Sequence, residues 1–390
     1  MKIKLIKSSF YHEAKTKKSL IEFIKKTKVL SLNDECRKFE KAFAKKQGRK
    51  YAVFVSSGSS ANLVLVQALL NLKRLKRGDR VAVSALTWST NMMPLIQLGL
   101  KPVAVDVSLK TLNPASKDLE KVSKKVKAFF TTNVLGFCDD LEKIEKLCVR
   151  KKIIFLEDNC ESLGSRYKKR NLGNFSLAST FSFFVGHHLS TIEGGMICTD
   201  DEELYHMLVM VRAHGWDRQL TPEARERIRT KHDVEEFYGN YTFYCLAFNA
   251  RPTEINGKIG NEQIKYWNDI VWRREKNFFA FQKAIEKNPD FIPLEVNHMD
   301  KVSNFAVPVV AKEPGVIEKY KKRFKEAGVE IRPVLAGNMT LQPFFSAHVP
   351  ERHICPNAEL IHTQGFYFPN NPELTDREVQ YMVRLLQPHP

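Results

Sequence analysis

The chain reads as an α/β protein whose working groups lie at the ends of its strands. Three observations point there. Short runs of β-branched and aromatic residues recur at 51–55, 80–85, 102–107, 126–133, 152–157, 178–183 and 195–199. Amphipathic segments at 61–72, 88–98 and 141–150 separate several of these runs, and strand alternating with helix is the pattern of a sheet covered on its faces. Near residue 261 the pattern changes to longer helices with isolated strand-like runs.

The first run leads into Ser56-Ser57-Gly58-Ser59-Ser60-Ala61-Asn62, which opens a helix. A glycine with small hydroxyl residues at such a junction suits a phosphate, because backbone N–H groups and the positive end of the helix dipole converge there. It equally suits a plain helix cap. Trp88, after the second run, is either a core tryptophan or a stacking surface. The run at 152–157 ends in Glu157-Asp158-Asn159-Cys160-Glu161, whose acids either cap the next turn or face a ligand. Segment 217–243 has mixed charge and little strand character, and a helical or loop excursion is expected. Beyond it we expect a charged, aromatic helix at 263–286, a strand at 304–310, a helix at 314–327, a strand at 329–333 and a closing helix at 375–386. Thr375 caps that last helix, and Glu378 completes a capping box. Residues 1–260 are thus expected to form a large domain with its N-terminal segment, and 261–390 a small α+β domain.

A hydrophobic content of 43% with 27% charged residues fits a soluble globular chain. The longest near-apolar run, 61–70, is broken by Asn62 and Gln67, so neither an export signal nor a membrane span is expected. Seven cysteines without Cys-x-x-Cys or metal-ligand spacing point to a reduced cytoplasm, with neither a metal site nor an iron–sulfur cluster. The net charge of +18 is spread as lysines over 15–18, 41–50, 121–127 and 319–325, with no nucleic-acid motif. Solvated helix faces account for it better than a nucleic-acid partner, and the positive field favours an anionic substrate.

The most telling stretch is Ser182-Phe183-Phe184-Val185-Gly186-His187-His188, leading into Glu193-Gly194-Gly195. Ser57-Gly58-Ser59, Glu157-Asp158, Arg212-Ala213-His214-Gly215 and Asn249-Ala250-Arg251-Pro252-Thr253-Glu254 accompany it. In this order, along nearly the whole chain, these landmarks resemble the DegT/DnrJ/StrS-type sugar aminotransferases of the pyridoxal phosphate (PLP) fold type I class. The resemblance implies an aspartate aminotransferase-like fold, with a mixed, mostly parallel sheet in the large domain. It also implies that Gly58, Ser59 and Ser182 hold the cofactor phosphate, that Trp88 stacks on the ring and that Asp158 pairs with the ring nitrogen. Asn249 would reach the phosphate from the partner subunit of a homodimer with shared active sites.

Two departures matter. The family's lysine, which holds PLP as a Schiff base, follows Ser-Phe and three further residues, and its place here falls on His187. An imidazole forms no stable imine, so the cofactor is expected to be unattached, most usefully as pyridoxamine phosphate (PMP). His187, with an ordinary pKa near neutrality, is then expected to act as base and acid in turn, and His188 to be a follower. Glu161 stands where many members carry glutamine. An ionised carboxylate cannot donate to the cofactor's phenolic oxygen, so Glu161 is either protonated or its contact is rearranged. Histidine at the lysine position, without clustered cysteines, is similar to a dehydrating branch of the family. Arg332-Pro333, Gly337-Asn338 and Gln342-Pro343 resemble that branch's C-terminal region. The implied reaction is loss of the C3 hydroxyl from a nucleotide-linked 4-keto-6-deoxyhexose, with GDP-4-keto-6-deoxymannose as leading substrate and L-glutamate restoring PMP. The alternatives are a nucleotide-sugar 4-aminotransferase and a non-catalytic cofactor-binding protein.

Overall fold

The computed structural model describes residues 2–388. Its strands are β1 (Tyr51–Val55), β2 (Arg80–Ser84), β3 (Lys101–Val105), β4 (Ala128–Thr132), β5 (Ile154–Asp158), the short ribbon β6 (Arg166–Tyr167) and β7 (Arg170–Asn171), then β8 (Ala178–Ser182) and β9 (Gly195–Thr199). The seven expected runs pair into one sheet of order β1-β9-β8-β5-β4-β2-β3. Pairing is parallel from β8 through β5, β4 and β2 to β3, whereas β9 runs antiparallel to both neighbours. β4, β8 and β9 are buried at every residue, as strands covered on both faces must be.

Strand alternation divides the core. Val81, Val83 and Phe130 pack on one face with Val64, Leu65 and Leu69 of the helix Gly58–Asn71. Ala82, Phe129 and Phe155 pack on the other with Ile144 and Leu147 of the helix Leu141–Lys151. At the β1 edge, Phe54, Phe181 and Phe183 meet Phe39 and Phe43 of the helix Asp34–Gln47. The start of that helix is held by Glu254, whose buried carboxylate accepts the N–H groups of Asn33, Glu35 and Cys36 at 2.8, 2.8 and 3.0 Å. Arg212, also buried, ties the end of β1 by donating to the Phe54 carbonyl at 2.8 Å and pairing with Glu40.

Segment 88–98 is not one helix. It forms a 3₁₀ turn, Ser89–Asn91, and a short helix, Met93–Gln97, because Pro94 has no N–H and is tolerated only in a first turn. Segment 217–243 carries the helices Pro222–Lys231 and Glu236–Gly239.

Beyond the helix Trp267–Lys287, β10 (Met299–Lys301) joins the ribbon at β6, and β11 (Ala306–Val310) pairs antiparallel with β12 (Gly365–Pro369). β11 and β12 pack with the helices Val316–Glu326 and Asp376–Leu385 around Phe281, Tyr320, Phe324, Phe366 and Phe368. The expected strand at 329–333 is absent. Val329 bridges Ile3 and Arg332 bridges Tyr367, Glu330 donates its N–H to the Ile3 carbonyl, and Pro333 has no N–H with which to extend a ladder. The Thr375 box forms as expected, with the Glu378 N–H donated to Thr375 Oγ1 at 3.2 Å and the Thr375 N–H to Glu378 Oε2 at 2.8 Å. Among the described residues, no helix is long and apolar enough to cross a membrane.

Candidate active site

A cavity of about 340 Å³ opens at the carboxyl ends of β1, β4, β5 and β8, where an open parallel sheet places its ligands. Gly58, Ser59, Trp88, Asp158, Glu161, Ser182 and His187 all line it.

Ser57 and Ser60 cap each other at the head of the helix Gly58–Asn71, the Ser60 N–H reaching Ser57 Oγ at 3.0 Å and the Ser57 N–H reaching Ser60 Oγ at 2.8 Å. That leaves the first N–H groups of the helix, on Gly58 and Ser59, at its positive end. Only glycine fits at 58, because a Cβ there would lie 2.5 Å from Ser182 Cβ and 3.2 Å from Cys160 Sγ.

The neighbouring acids at the end of β5 point to opposite faces. Glu157 is consumed inside the protein, accepting from Gly173 N, Asn133 Nδ2 and Phe175 N at 2.9, 3.0 and 3.0 Å. Asp158 faces the cavity with its carboxylate oriented by three donors: Asn62 Nδ2 at 3.1 Å, Asn91 Nδ2 at 2.7 Å and the Cys160 N–H at 2.9 Å. Glu161 accepts the Leu135 N–H at 3.0 Å. Burial, with a smaller contribution from the charge of Asp158, pushes its carboxyl up to about 8 against the opposing pull of that N–H. That shift favours the protonated form near neutral pH.

His187 sits in the turn between β8 and β9, which backbone bonds close: Phe183 N to Gly194 O, Thr191 N to Phe183 O, Val185 N to Ile192 O and His187 N to Phe184 O, at 2.8, 2.9, 3.1 and 2.8 Å. Its ring meets Phe305 edge-on at 5.3 Å, and its buried Nδ1 has no protein partner. The expectation of an ordinary, near-neutral basicity needs correction. Burial, opposed by the nearby Ser182 backbone and reinforced by the Arg274 guanidinium, pulls the imidazole down to about 4. It is held neutral near pH 7, a weaker base than usual whose protonated form gives up its proton more readily than an ordinary imidazolium. His188 is buried, donating from Nε2 to the Ser303 carbonyl at 2.9 Å.

Trp88 stands at the mouth, 52% exposed. Asn249 does not reach the cavity of its own chain. It is exposed on the surface, where its Oδ1 accepts from Arg251 Nε at 2.9 Å. Sequence reasoning passed over Asn62 and Asn91, the anchors of Asp158. Asn62 lies four residues beyond Gly58, one turn along the same helix face, and that spacing was a usable signal. Arg332 and Tyr367 also line the wall, with Arg332 tied to Glu330 Oε1 at 2.8 and 3.0 Å. Leu5 and Ile6 arrive from the N-terminal segment, with no local signal in the sequence.

The donor set matches a phosphorylated pyridine cofactor: a helix start with a glycine no side chain can replace, an oriented carboxylate, a neutral acid and an unpartnered imidazole nitrogen. Among the described residues, no group of three His, Cys, Asp or Glu side chains is placed to hold a metal ion.

A model of the DegT/DnrJ/EryC1/StrS aminotransferase family matches residues 11–387. The chain is 37% identical over 376 residues to the GDP-4-keto-6-deoxy-D-mannose 3-dehydratase of Escherichia coli O55:H7, covering 94% of this chain and 95% of that protein. Among solved structures it resembles an E. coli GDP-4-keto-6-deoxy-D-mannose-3-dehydratase with bound hydrated PLP, at a TM-score of 0.90 and 33% identity, over 99% of this chain and all of the other. A GDP-4-keto-6-deoxymannose-3-dehydratase with a trapped PLP–glutamate geminal diamine is as similar, at a TM-score of 0.90 and 33% identity over 98% and 99% of the two chains.

Proposed function

The chain belongs to the DegT/DnrJ/EryC1/StrS aminotransferase family, and on that premise we propose that it is a PMP-dependent dehydratase acting at C3 of a nucleotide-linked 4-keto-6-deoxyhexose. Its leading substrate is GDP-4-keto-6-deoxymannose, and L-glutamate returns the amine. The observation that carries this reading is His187, an imidazole at the cavity wall in the place of the family's lysine. The similarity to dehydratases named for that GDP-sugar supports the substrate, and the glutamate adduct in one of them supports the amino donor.

When bound, the cofactor supplies an amine that condenses with the sugar's ketone and a ring that accepts the electron pair of the neighbouring C–H bond. Gly58, Ser59 and Ser182 hold its phosphate, and Trp88 covers a ring face. Asp158, oriented by Asn62 and Asn91, keeps the ring nitrogen protonated. Glu161 in its neutral form donates to the phenolic oxygen. His187 would take a proton from the amine-bearing carbon and pass it to the departing C3 hydroxyl, which would leave as water; hydrolysis would then restore the ketone and release the nitrogen as ammonia, so that L-glutamate must supply it again. The low basicity of the imidazole favours the second step, because a poorly solvated imidazolium gives up its proton readily. A homodimer belongs to this reading: Asn249 is exposed at the end of a segment that also exposes Phe237, Tyr238, Tyr241, Phe243 and Leu246, side chains that a second copy would cover while bringing Asn249 to its partner's cavity.

The deciding experiment is the mass of the sugar nucleotide after incubation with PLP, L-glutamate and GDP-4-keto-6-deoxymannose. Net loss of one oxygen is expected. Replacement of the ketone oxygen by an amine would make the protein a 4-aminotransferase and overturn the proposal.

A further inference from the structure

Arg274, on the helix Trp267–Lys287, is 2% exposed, and no carboxylate among the described residues pairs with it. A buried, uncompensated guanidinium is costly and calls for a reason. Its Nη1 donates to the carbonyls of Asn304, Phe305 and Asn370 at 3.3, 2.7 and 2.6 Å, while its Nε finds no acceptor. The first two of those carbonyls belong to the segment 303–305, which touches both histidines of the site. Ser303 O accepts from His188 Nε2 at 2.9 Å, and the Phe305 ring lies edge-on to His187 at 5.3 Å. We propose that Arg274 is a positioning residue for proton transfer by His187, acting through the 303–305 segment and through its uncompensated charge.

The inference rests on the reading of His187 as the proton-transfer group. Other ionisable groups surround that imidazole. On its own turn these are His188 and Glu193; from the end of β5 come Asp158, Cys160 and Glu161; from the C-terminal part come Arg332 and Tyr367. Arg332 is neutralised by Glu330, Asp158 is engaged by two asparagines, and Glu161 is mostly neutral near pH 7. Arg274 acts on both imidazoles, disfavouring their protonated forms, with no acid beside it to cancel the field. Burial draws its own guanidinium down to about 9, so it is charged near neutral pH.

Two full-length variants separate charge from fastening. Arg274→Lys keeps the cation and loses the forked donor, whereas Arg274→Met loses both and keeps the apolar stem. With ring-labelled histidine, the His187 resonance can be assigned by its loss in His187→Asn and followed against pH by NMR. Its titration midpoint is expected to rise by roughly half to one pH unit in Arg274→Met and to move by less than about 0.3 unit in Arg274→Lys. Turnover should fall at least about tenfold in both, with KM for the nucleotide sugar changed less than about threefold, and the acid limb should move upward in the methionine variant alone. An unmoved midpoint together with wild-type turnover in Arg274→Met overturns the proposal. If that variant does not fold, wild-type turnover in Arg274→Lys refutes the fastening. Conversion of the cofactor by L-glutamate alone, read by absorbance, needs a proton transfer but no sugar. Slowing of this half-reaction by both variants, in a protein whose wild type does not dehydrate, would sink the dehydratase reading and leave the role of Arg274 standing.

Discussion

Replacing Glu161 by glutamine tests whether the cavity works with a neutral acid at that position. Burial first, and then the nearby charge of Asp158, carry the carboxyl from its ordinary 4.5 to about 8, against the bond from the Leu135 N–H. The interval corresponds to about 5 kcal/mol of preference for the protonated form inside the fold. Because the folded pKa is the raised one, the stability linked to this group is complete below about 4.5 and is lost as pH rises through about 8. Between pH 6 and 8 that loss comes to about 2 kcal/mol. Glutamine has the same shape, stays neutral and still donates. The Glu161→Gln variant is expected to keep wild-type turnover within about threefold at pH 7, where about nine-tenths of the native carboxyl is already protonated. It should lack the alkaline limb expected of the wild type near pH 8 and lose less melting temperature between pH 6 and 9. The assays are kcat/KM and thermal melts over that range. An alkaline limb at the same pH in both proteins, with parallel melting curves, would refute the reasoning.

Two further outcomes follow from the cavity wall. His187→Lys is expected to bind the cofactor covalently, seen as a mass increment after borohydride reduction, and to lower dehydration by at least about 100-fold; surviving dehydration would remove His187 from its role. Gly58→Ala places a methyl group 2.5 Å from Ser182 Cβ, forcing the helix start away from β8, and PLP affinity by titration should weaken at least about tenfold. Unchanged affinity would show that the phosphate sits elsewhere.

The central sheet was legible because each of its seven strands is a short apolar run flanked by turn or helix signals. The helices Glu13–Lys26 and Asp34–Gln47 were not assigned individually, since their lysine-rich sequences gave only diffuse helical character. β12 was not legible, since only Phe366-Tyr367-Phe368 lies between Gly365 and Pro369, too short an aromatic run to stand out alone, and its strand state comes from pairing with β11. The reverse error, at 329–333, arose because β propensity cannot tell that the N-terminal segment takes the edge at Val329. In the site, Gly58, Asp158, Glu161, Ser182 and His187 were readable because each lies in a local motif at a strand end. Arg274 was not, since the carbonyls it meets lie 30, 31 and 96 residues away in sequence. The depressed basicity of His187 was equally hidden, because burial is a property of the assembled cavity.

The turn between β8 and β9 has a bearing on how such enzymes diversify. The bonds that shape it join main-chain atoms and the side chains of Ser190, Thr191 and Asn256 rather than that of His187, and its two ends are locked where Ser182 faces Gly195 across the ladder. The side chain at 187 therefore contributes little to the shape of the segment that carries it. On the proposed reading, exchanging lysine for histidine here would replace an anchoring amine by an untethered proton carrier while leaving this frame in place.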